Sequence, residues 1–367
     1  MTDQPRPTPT TPRTALTHVR VFDGQRLTEP RTVVIDQATI SADTSTNAAQ
    51  LINGHGMVLL PGLIDAHVHL HGPDTLEQLV SYGVTTALDM ATWPPQLLAS
   101  LRNIPGGTDI RSAGTPAIGP GGPHARIPGM ANDAIVRTPQ QASEFVAAQV
   151  SAGSDYIKIV AEAPDDGGPD LETMKMLVAA ARTHGKRTVA HAATSGAYTM
   201  ALNADVDFIT HIPLDRPLDQ ADIARIADRG KAVIPTLTMM EGIAAARGVP
   251  HAYQTARRNL ATLHQAGIPV LAGTDANTQP GVPHQVEHGT SLHHELELLV
   301  DAGLTPRQAL RAATTMPAHA FGLRDRGAIS PGLRADLVLI DGDPLADIRA
   351  TRAIHRIWCA GAEHRPA

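Results

Sequence analysis

The chain has 367 residues, of which 42% are hydrophobic and 18% are charged, a composition typical of a globular protein. Single cores rarely grow past roughly 250–300 residues, so this length predicts one large domain or a main domain with a smaller appendage. A net charge of −6 excludes the basic footprint of a nucleic-acid or anionic-lipid binder, and no apolar run approaches the roughly 18 residues that a membrane helix needs.

The composition of the first residues predicts a disordered tail. Met1–Arg13 is rich in Pro and Thr and has no apolar segment, which indicates a disordered tail and not a signal peptide. The single cysteine, Cys359, excludes an intramolecular disulfide framework and favours a reducing, cytoplasmic location. Its apolar neighbours Ile357 and Trp358 favour a buried structural thiol over a nucleophile.

From about residue 62 to 325, short β-rich runs alternate with amphipathic helical stretches, which is typical of a parallel α/β fold. The helical patterns Thr173–His184 and Asp219–Arg229 end at Gly185 and Gly230. Eight strand–helix units over roughly 260 residues match a TIM barrel. The rival, a doubly wound open sheet, would usually show a glycine-rich phosphate turn after its first strand, and this sequence has none. The predicted barrel strands are Leu63–Leu70, Thr85–Met90, Ile110–Ile118, Tyr156–Val160, Thr188–His191, Phe208–His211, Ala232–Thr236 and Val270–Thr274.

The two ends of the chain predict a separate unit. Thr17–Phe22 and Arg31–Ile35 look like strands of one small sheet, and Asp336–Leu339 and Arg356–Cys359 look like more of it. The predicted fold class is therefore α/β, a (β/α)8 TIM barrel with a small β-sandwich subdomain formed by both chain ends. Its predicted domains are the tail at 1–13, a composite β-subdomain at 14–60 and 326–367, and the barrel at 61–325.

The first barrel strand carries Asp65, His67 and His69 at alternate positions. Side chains alternate across a strand, so these three share one face while their apolar neighbours share the other. In a barrel the polar set would face the lumen. Two imidazoles about 6–7 Å apart along one strand can bind one metal ion, so the motif predicts a metal site at the end of this strand.

In the fourth predicted strand, a lysine would face the same barrel interior. If Ile157 and Ile159 face the helices, Lys158 faces the barrel interior. A buried ammonium is costly unless it is paired or modified. A salt bridge near the end of the strand is an alternative that this segment alone leaves open.

His191 and His211 end the fifth and sixth strands, and Asp275 follows the eighth. TIM-barrel active sites are assembled at the C-terminal ends of the strands. Each residue has a structural explanation when taken singly: a core histidine, or for Asp275 a helix cap or turn. Together, strands one, four, five, six and eight deliver a ligand-type side chain to one end of one barrel, which predicts an inward-facing cluster of four His, one Lys and one Asp.

At this point the sequence resembles the amidohydrolase superfamily. The segment Pro61-Gly62-Leu63-Ile64-Asp65-Ala66-His67-Val68-His69 is similar to its first-strand signature. His191, His211 and Gly273-Thr274-Asp275 follow in the order of the superfamily's later ligands. Gly327–Pro344 resembles the return of the chain to the superfamily's β-subdomain, so the resemblance covers nearly everything from residue 17 onward.

Ile157-Lys158-Ile159 resembles the branch in which the strand-four lysine is carboxylated and bridges two divalent metals, with prolidase-like and imidazolonepropionase-related members. The mononuclear imidazolonepropionases lack that lysine. The resemblance implies two divalent ions, with zinc as the expected metal. It also implies the ligand sets: His67, His69 and Asp275 on one ion, His191 and His211 on the other, and carboxylated Lys158 between them. The acidic loop Ala161–Pro169 departs from the glycine-rich turn that the branch leads us to expect, and it bears on the substrate subclass.

On this resemblance, a hydroxide held between two metals would attack the scissile carbonyl carbon, and Asp275 would move its proton to the leaving nitrogen. Asp65 is expected to orient a histidine or its strand. His124, in Gly121-Gly122-Pro123-His124, could bring an imidazole to the developing oxyanion or to a substrate carboxylate; a solvated loop histidine is the alternative. Among the later histidines, His288 is the one to examine.

The sequence thus predicts a metal-dependent hydrolase that cleaves the amide bond of a small substrate such as a dipeptide, an N-acyl amino acid or a carbamate. Lactone or ester hydrolysis at the same metal centre stays open. So does a non-catalytic oligomeric scaffold, although folding alone does not require all six ligand residues. The expected partner is a small-molecule substrate, with no nucleic acid and no membrane, and a homo-oligomer is compatible with the sequence.

Overall fold

The structure, a computed structural model, describes residues 13–47 and 49–367. The predicted tail Met1–Arg13 lies outside the described residues except for Arg13. The strands are β1 Thr14–Val21, β2 Arg31–Asp36, β3 Thr39–Ile40, β4 Gln50–Asn53, β5 Val58–Pro61, β6 Leu63–Val68, β7 Val84–Asp89, β8 Asp109–Ser112, β9 Ile157–Val160, β10 Thr188–His191, β11 Phe208–Thr210, β12 Ala232–Ile234, β13 Leu337–Ile340, β14 Ile354–Cys359 and β15 Ala362–His364. The α-helices are α1 Pro73–Ser81, α2 Pro95–Leu101, α3 Pro139–Ser151, α4 Leu171–Thr183, α5 Ser195–Ala204, α6 Gln220–Asp228, α7 Leu237–Ala246, α8 Tyr253–Gln265, α9 Thr290–Asp301, α10 Pro306–Ala312 and α11 Thr315–Ala320.

The middle of the chain is a mixed α/β structure with two parallel sheets. One sheet has the order β6-β7-β8 and the other the order β12-β11-β10-β9. One single parallel bridge joins Ala117, after β8, to Ile159 in β9, and another joins Val68 in β6 to Ala276. A further parallel bridge links Val233 in β12 to Val270. Because all these pairings are parallel, the carboxyl ends of the strands lie toward the same side of the structure.

Seven of the eight predicted barrel strands are present, with ends that differ by a few residues; the largest difference is β8, which ends at Ser112 instead of Ile118. The eighth prediction, Val270–Thr274, is wrong as a strand, because the segment makes only isolated bridges. Its backbone divides its hydrogen bonds between different neighbours. The N–H of Leu271 donates to Val233, whereas the N–H of Ala272 donates to Ala312, behind the sheet. A regular ladder therefore does not form.

The two predicted helices are confirmed as α4 and α6. Each buries one apolar stripe, and in α4 that stripe includes Met174, Leu177 and Val178. Asp170 caps α4 by accepting a hydrogen bond from the N–H of Thr173 at 2.7 Å. Among the described residues, no helix combines the length and the apolar character that a membrane crossing would need.

Strands from both ends of the chain form one mixed sheet with the order β15-β14-β13-β5-β1-β2-β3, and β4 also pairs with β1. The register of β1 shifts between Leu16 and Val19, where His18 has a φ of 58°. The first half of β1 pairs with β2 and β4 and the second half with β5. One buried cluster contains side chains from both halves and from β13 and β14, including Trp358. The four strands predicted at the chain ends thus correspond to β1, β2, β13 and β14.

The prediction for Cys359 is also confirmed. Its side chain is buried, and its thiol lies 3.0 Å from the carbonyl oxygen of Gly107. Burial raises the pKa of this thiol to about 12, so the thiolate that a nucleophile requires is not populated near neutral pH.

The buried Lys231 has a carboxylate partner for its ammonium group. Lys231 is 5% exposed, and its Nζ donates to Asp205 at 2.8 Å and to the carbonyl of Val206. Asp205 also accepts from Arg182 at 2.7 Å and from Arg229 at 2.9 Å. Burial alone would raise the pKa of Asp205, but Lys231 and Arg182 hold it below its usual value.

We expect Asp205→Asn to lower the free energy of unfolding by about 1–3 kcal/mol, because it leaves the buried Lys231 without a carboxylate. Asparagine tolerates the left-handed φ of 65° at this position, so the change tests the charge and not the backbone. A carboxylate with a lowered pKa stabilises the fold above the pKa of 3.8 that it has when unfolded, and this stability is lost as the pH falls. Urea unfolding at pH 7 and pH 3 should show the difference between variant and wild type at pH 7 and a smaller one at pH 3. An equal difference at both values would contradict the ion pair as its cause.

Candidate metal centre

The structure places His67, His69 and Asp275 together at the end of β6. The Nε2 atoms of His67 and His69 lie 3.2 and 3.0 Å from Oδ1 of Asp275. One potential ligand atom from each residue lies within 4.8 Å of the other two. His67 is 1% exposed, and among the residues that the structure describes its Nε2 has no hydrogen-bond partner. A buried nitrogen without a partner beside a carboxylate oxygen is an arrangement that a cation would satisfy.

The residues behind this group fix its geometry. Oδ1 of the fully buried Asp65 accepts hydrogen bonds from the N–H of His67 and of Thr274, both at 3.1 Å, and its Oδ2 accepts from the Thr274 hydroxyl at 2.7 Å. The hydroxyl of Thr210 lies 2.6 Å from Nδ1 of His67, so this ring nitrogen is engaged and Nε2 faces Asp275. Asp65 therefore ties β6 to the segment that carries Asp275.

The backbone at Asp275 has a left-handed φ of 59°, which redirects the chain where the predicted eighth strand would continue. Just before it, Gly273 passes very close to its neighbours. A Cβ at this position would lie 2.5 Å from Cγ2 of Ile234 and 2.9 Å from the backbone nitrogen of His67. Only glycine fits here, and this close approach brings Asp275 within reach of both histidines.

His191 and His211 form a second pair in the same cavity. Nε2 of His211 lies 2.8 Å from Nδ1 of His191, and Nδ1 of His211 lies 2.8 Å from the hydroxyl of Thr236. The rings of His67 and His211 are 5.0 Å apart, so the pair adjoins the first group. Burial lowers the pKa of His211 to about 3 and that of His191 well below its usual value. Both rings are therefore neutral near pH 7, the form in which imidazole binds metals.

Lys158 lies in β9 and is 4% exposed. Burial lowers the pKa of its amine to about 7. Within residues 13–47 and 49–367, no carboxylate oxygen lies within the 4.0 Å of an ion pair with this amine, in contrast to Lys231. The salt-bridge alternative considered from the sequence therefore has no partner among the described residues.

These six residues and His124 line one cavity of about 350 Å³. His124 belongs to a 3-10 turn, Pro123–Arg126, in the loop after β8, and its ring centroid lies 4.6 Å from that of His191. Its side chain is 27% exposed, and its Nδ1 is buried without a hydrogen-bond partner. The loop therefore presents His124 to the cavity, and its role at an oxyanion or a substrate carboxylate stays a prediction.

Sequence reasoning missed Glu162, which lies behind His124. Its Oε1 is 3.7 Å from Nδ1 of His124, and the potential ligand atoms of His124, Glu162 and His191 lie within 4.8 Å of one another. Glu162 belongs to the loop Ala161–Pro169, where the sequence drew attention to acidic residues but not to this one. The carbonyl of Gly167 accepts from the N–H groups of Gly121 and Gly122 at 3.0 and 2.9 Å, which clasps this loop to the one that carries His124.

His71 and His288 are two further histidines close to the candidate ligands. His71 continues the alternation of His67 and His69 and lines the cavity, a signal that the i, i+2 spacing already contained. Its ring centroid lies 5.6 Å from that of His288. Nε2 of His288 donates to the carbonyl of His69 at 2.7 Å, and its side chain is buried. His288 thus supports the backbone of a candidate ligand and does not line the cavity.

Comparisons with known proteins show the family to which the chain is similar. The model of the amidohydrolase family matches residues 58–363. An uncharacterized protein of Mycobacterium tuberculosis is 29% identical over 352 residues, which cover 88% of this chain and 85% of the relative. An imidazolonepropionase of Deinococcus deserti is 32% identical over 199 residues, 52% of this chain and 45% of the relative. The crystal structure of a putative prolidase from Bifidobacterium longum has a TM-score of 0.82 at 25% identity and covers 98% of this chain and 97% of its own.

Proposed function

Because the chain belongs to the amidohydrolase family, and is thus a hydrolase acting on carbon–nitrogen bonds, we propose that it cleaves the amide bond of a small substrate at a binuclear metal centre. The observation that carries this proposal is the convergence of seven residues, predicted from the sequence, on one cavity of about 350 Å³. The substrates that this centre suits are dipeptides, N-acyl amino acids and carbamates.

The fold supports the proposal. The family and the similar prolidase structure imply a TIM-barrel-like α/β fold. We infer a (β/α)8 barrel at 61–325 in which the segment from Val270 to Ala276 takes the place of the eighth strand, because its bridges reach β12 on one side and β6 on the other. We assign the strands of 14–60 and 326–367 to a separate β-subdomain, since they share one sheet. The candidate ligands then lie at the carboxyl ends of the barrel strands, where such barrels place their active sites.

The donor set fits divalent cations such as Zn²⁺. His67, His69 and Asp275 would hold one ion, and His191 and His211 would hold a second. Lys158, carboxylated on its amine, would lie between the two, since this change converts an unpaired buried cation into an anionic oxygen ligand. When bound, such ions lower the pKa of water and polarise a carbonyl.

The residues of the chain supply the remaining functions. Oδ1 of Asp275 contacts both Nε2 atoms, whereas Oδ2 lies 3.7 Å from Nδ1 of His211, so Oδ2 is the atom to which we assign the proton taken from the attacking water and returned to the leaving nitrogen. The buried Nδ1 of His124 faces the carboxylate of Glu162, so when the ring carries a proton on both nitrogens its Nε2 can donate a hydrogen bond to the substrate carbonyl oxygen. Asp65 and Thr210 keep His67 in place throughout.

Metal content tests the centre directly. We expect protein purified without an affinity tag, after expression with zinc and bicarbonate, to contain about two divalent ions per chain and to hydrolyse at least one substrate from a panel of dipeptides, N-acyl amino acids, carbamates, esters and lactones. His69→Asn should lower the metal content to about one ion or less, whereas the exposed His184→Asn should leave it unchanged. Essentially no metal after reconstitution, together with no turnover, would favour the non-catalytic scaffold. Turnover restricted to esters or lactones would replace the amide assignment.

A further inference from the structure

The cavity wall beyond the candidate ligands is largely apolar. Helix α7 contributes Met239, Met240 and Ile243, the loop of His124 contributes Met130, and the segment after Asp275 contributes Val282. Trp93 also lines the cavity. Its indole N–H donates to the carbonyl of Gly129 at 2.8 Å, and this hydrogen bond joins Trp93 to the loop of His124. Three thioethers and an indole form a wall that adapts to apolar groups of different shape.

The described residues that line the cavity include few charged side chains, and one of these is a carboxylate. Among the described residues that line it, the charged side chains besides the histidines are Arg126, Lys158 and Asp275. Asp275 is the single carboxylate, and its Oδ1 already contacts His67 and His69. Arg126 is exposed at the rim, where its guanidinium donates to the carbonyl of Gly121 at 3.1 Å and keeps further N–H groups for another acceptor.

From this wall and these charges we infer the substrate class: an N-acyl amino acid whose acyl group is apolar and carries no ammonium group, with its carboxylate at the rim near Arg126. This inference rests on the proposed function and narrows it. A dipeptide brings a free α-ammonium group into the cavity, where the one carboxylate among the described lining residues, Asp275, already contacts His67 and His69. An ammonium group buried without a partner is strongly disfavoured, whereas an alkyl or aryl group gains from contact with the methionines and Trp93.

A matched pair of substrates tests the inference. Phenylalanyl-leucine and 3-phenylpropanoyl-leucine differ only in the α-ammonium group. With the metal-loaded enzyme, we expect kcat/KM for 3-phenylpropanoyl-leucine to exceed that for phenylalanyl-leucine by at least about tenfold. A preference for the dipeptide, or equal values, would overturn the inference and leave amide hydrolysis standing.

A variant of the cavity wall should weaken the expected preference for 3-phenylpropanoyl-leucine. Ile243 is half-buried in the wall and lies on α7. Ile243→Asp places a carboxylate in the wall, so the ratio of the two kcat/KM values should shift toward phenylalanyl-leucine by about tenfold or more, while Ile243→Asn, of similar size and without charge, should shift it less. Equal shifts for both variants would contradict the role of charge.

Product binding separates this inference from the proposed function. The acyl products, 3-phenylpropanoate and phenylalanine, can be titrated against the fluorescence of Trp93, because Trp93 lines the cavity whereas the other tryptophan, Trp358, is buried in β14 and is not among the lining residues. Tighter binding of 3-phenylpropanoate without turnover of either amide would support the inference while the proposed amide hydrolysis fails. Equal binding without turnover would remove both.

Discussion

Asp275→Asn should lower kcat/KM by about 10³-fold while the protein stays folded. Asparagine keeps the shape of the side chain and accepts the left-handed φ of 59°, so the backbone at this position is not strained. The change removes the acid–base group and the negative charge that faces Nε2 of His67 and His69 at 3.2 and 3.0 Å. Steady-state rates on the best substrate of the panel, with circular dichroism for the fold, measure this effect.

Asp165→Asn is the matched control, because Asp165 also has a left-handed φ, of 71°, but lies exposed in the loop after β9. Its rate should stay within about twofold of wild type. Elemental analysis of both variants divides the two roles of Asp275. Loss of about one ion per chain would assign the effect to metal binding, whereas retained metal with lost turnover would assign it to proton transfer. Activity within tenfold of wild type for Asp275→Asn would reject both roles.

Much of this site follows from local rules that the sequence contains. The alternation of Asp65, His67 and His69 places all three on one face of β6, and the positions of His191 and His211 at strand ends place them at one edge of a parallel sheet. These are short-range consequences of strand geometry. Convergence on a single cavity then requires only that the strands are neighbours in the predicted order.

Other parts of the site depend on contacts that the sequence does not show. The segment Val270–Thr274 was predicted as a strand, but its hydrogen bonds go to β6, to β12 and to Ala312. Glu162 meets His124 only because the loops after β8 and β9 are clasped through Gly167. The approach of two loops distant in sequence is a tertiary event, and no periodicity in either loop predicts it.

A comparison of the two buried lysines indicates whether Lys158 has a structural or a chemical role. Lys231 and Lys158 are 5% and 4% exposed, yet only Lys231 has a carboxylate partner among the described residues. A charged amine that is buried without an ion-pair partner lowers the stability of the fold. Burial disfavours the charged form and thereby lowers the pKa of Lys158 to about 7. We propose that the neutral amine of Lys158 is used, because a neutral amine is the form that combines with carbon dioxide to give a carbamate.

Lys158→Met should therefore abolish turnover, with a fall in kcat of at least about 10²-fold, and yet raise the free energy of unfolding by about 1–2 kcal/mol when both proteins are free of metal and bicarbonate. Methionine is apolar and of similar length, so it fills the site without the buried amine. Lys231→Met is the matched control. It leaves the carbonyl of Val206 without its donor, and we expect it to lower the free energy of unfolding by about 1–3 kcal/mol with turnover unchanged.

The two outcomes for Lys158→Met separate its possible roles. A loss of stability as large as that of Lys231→Met would make Lys158 a structural cation, and full activity would exclude it from the centre. If stability rises while activity falls, the amine has a chemical task, and ¹³C-labelled bicarbonate identifies it: wild type should show a carbamate resonance that Lys158→Met lacks. Absence of that resonance in active protein with two ions per chain would leave the centre binuclear but bridged by another group.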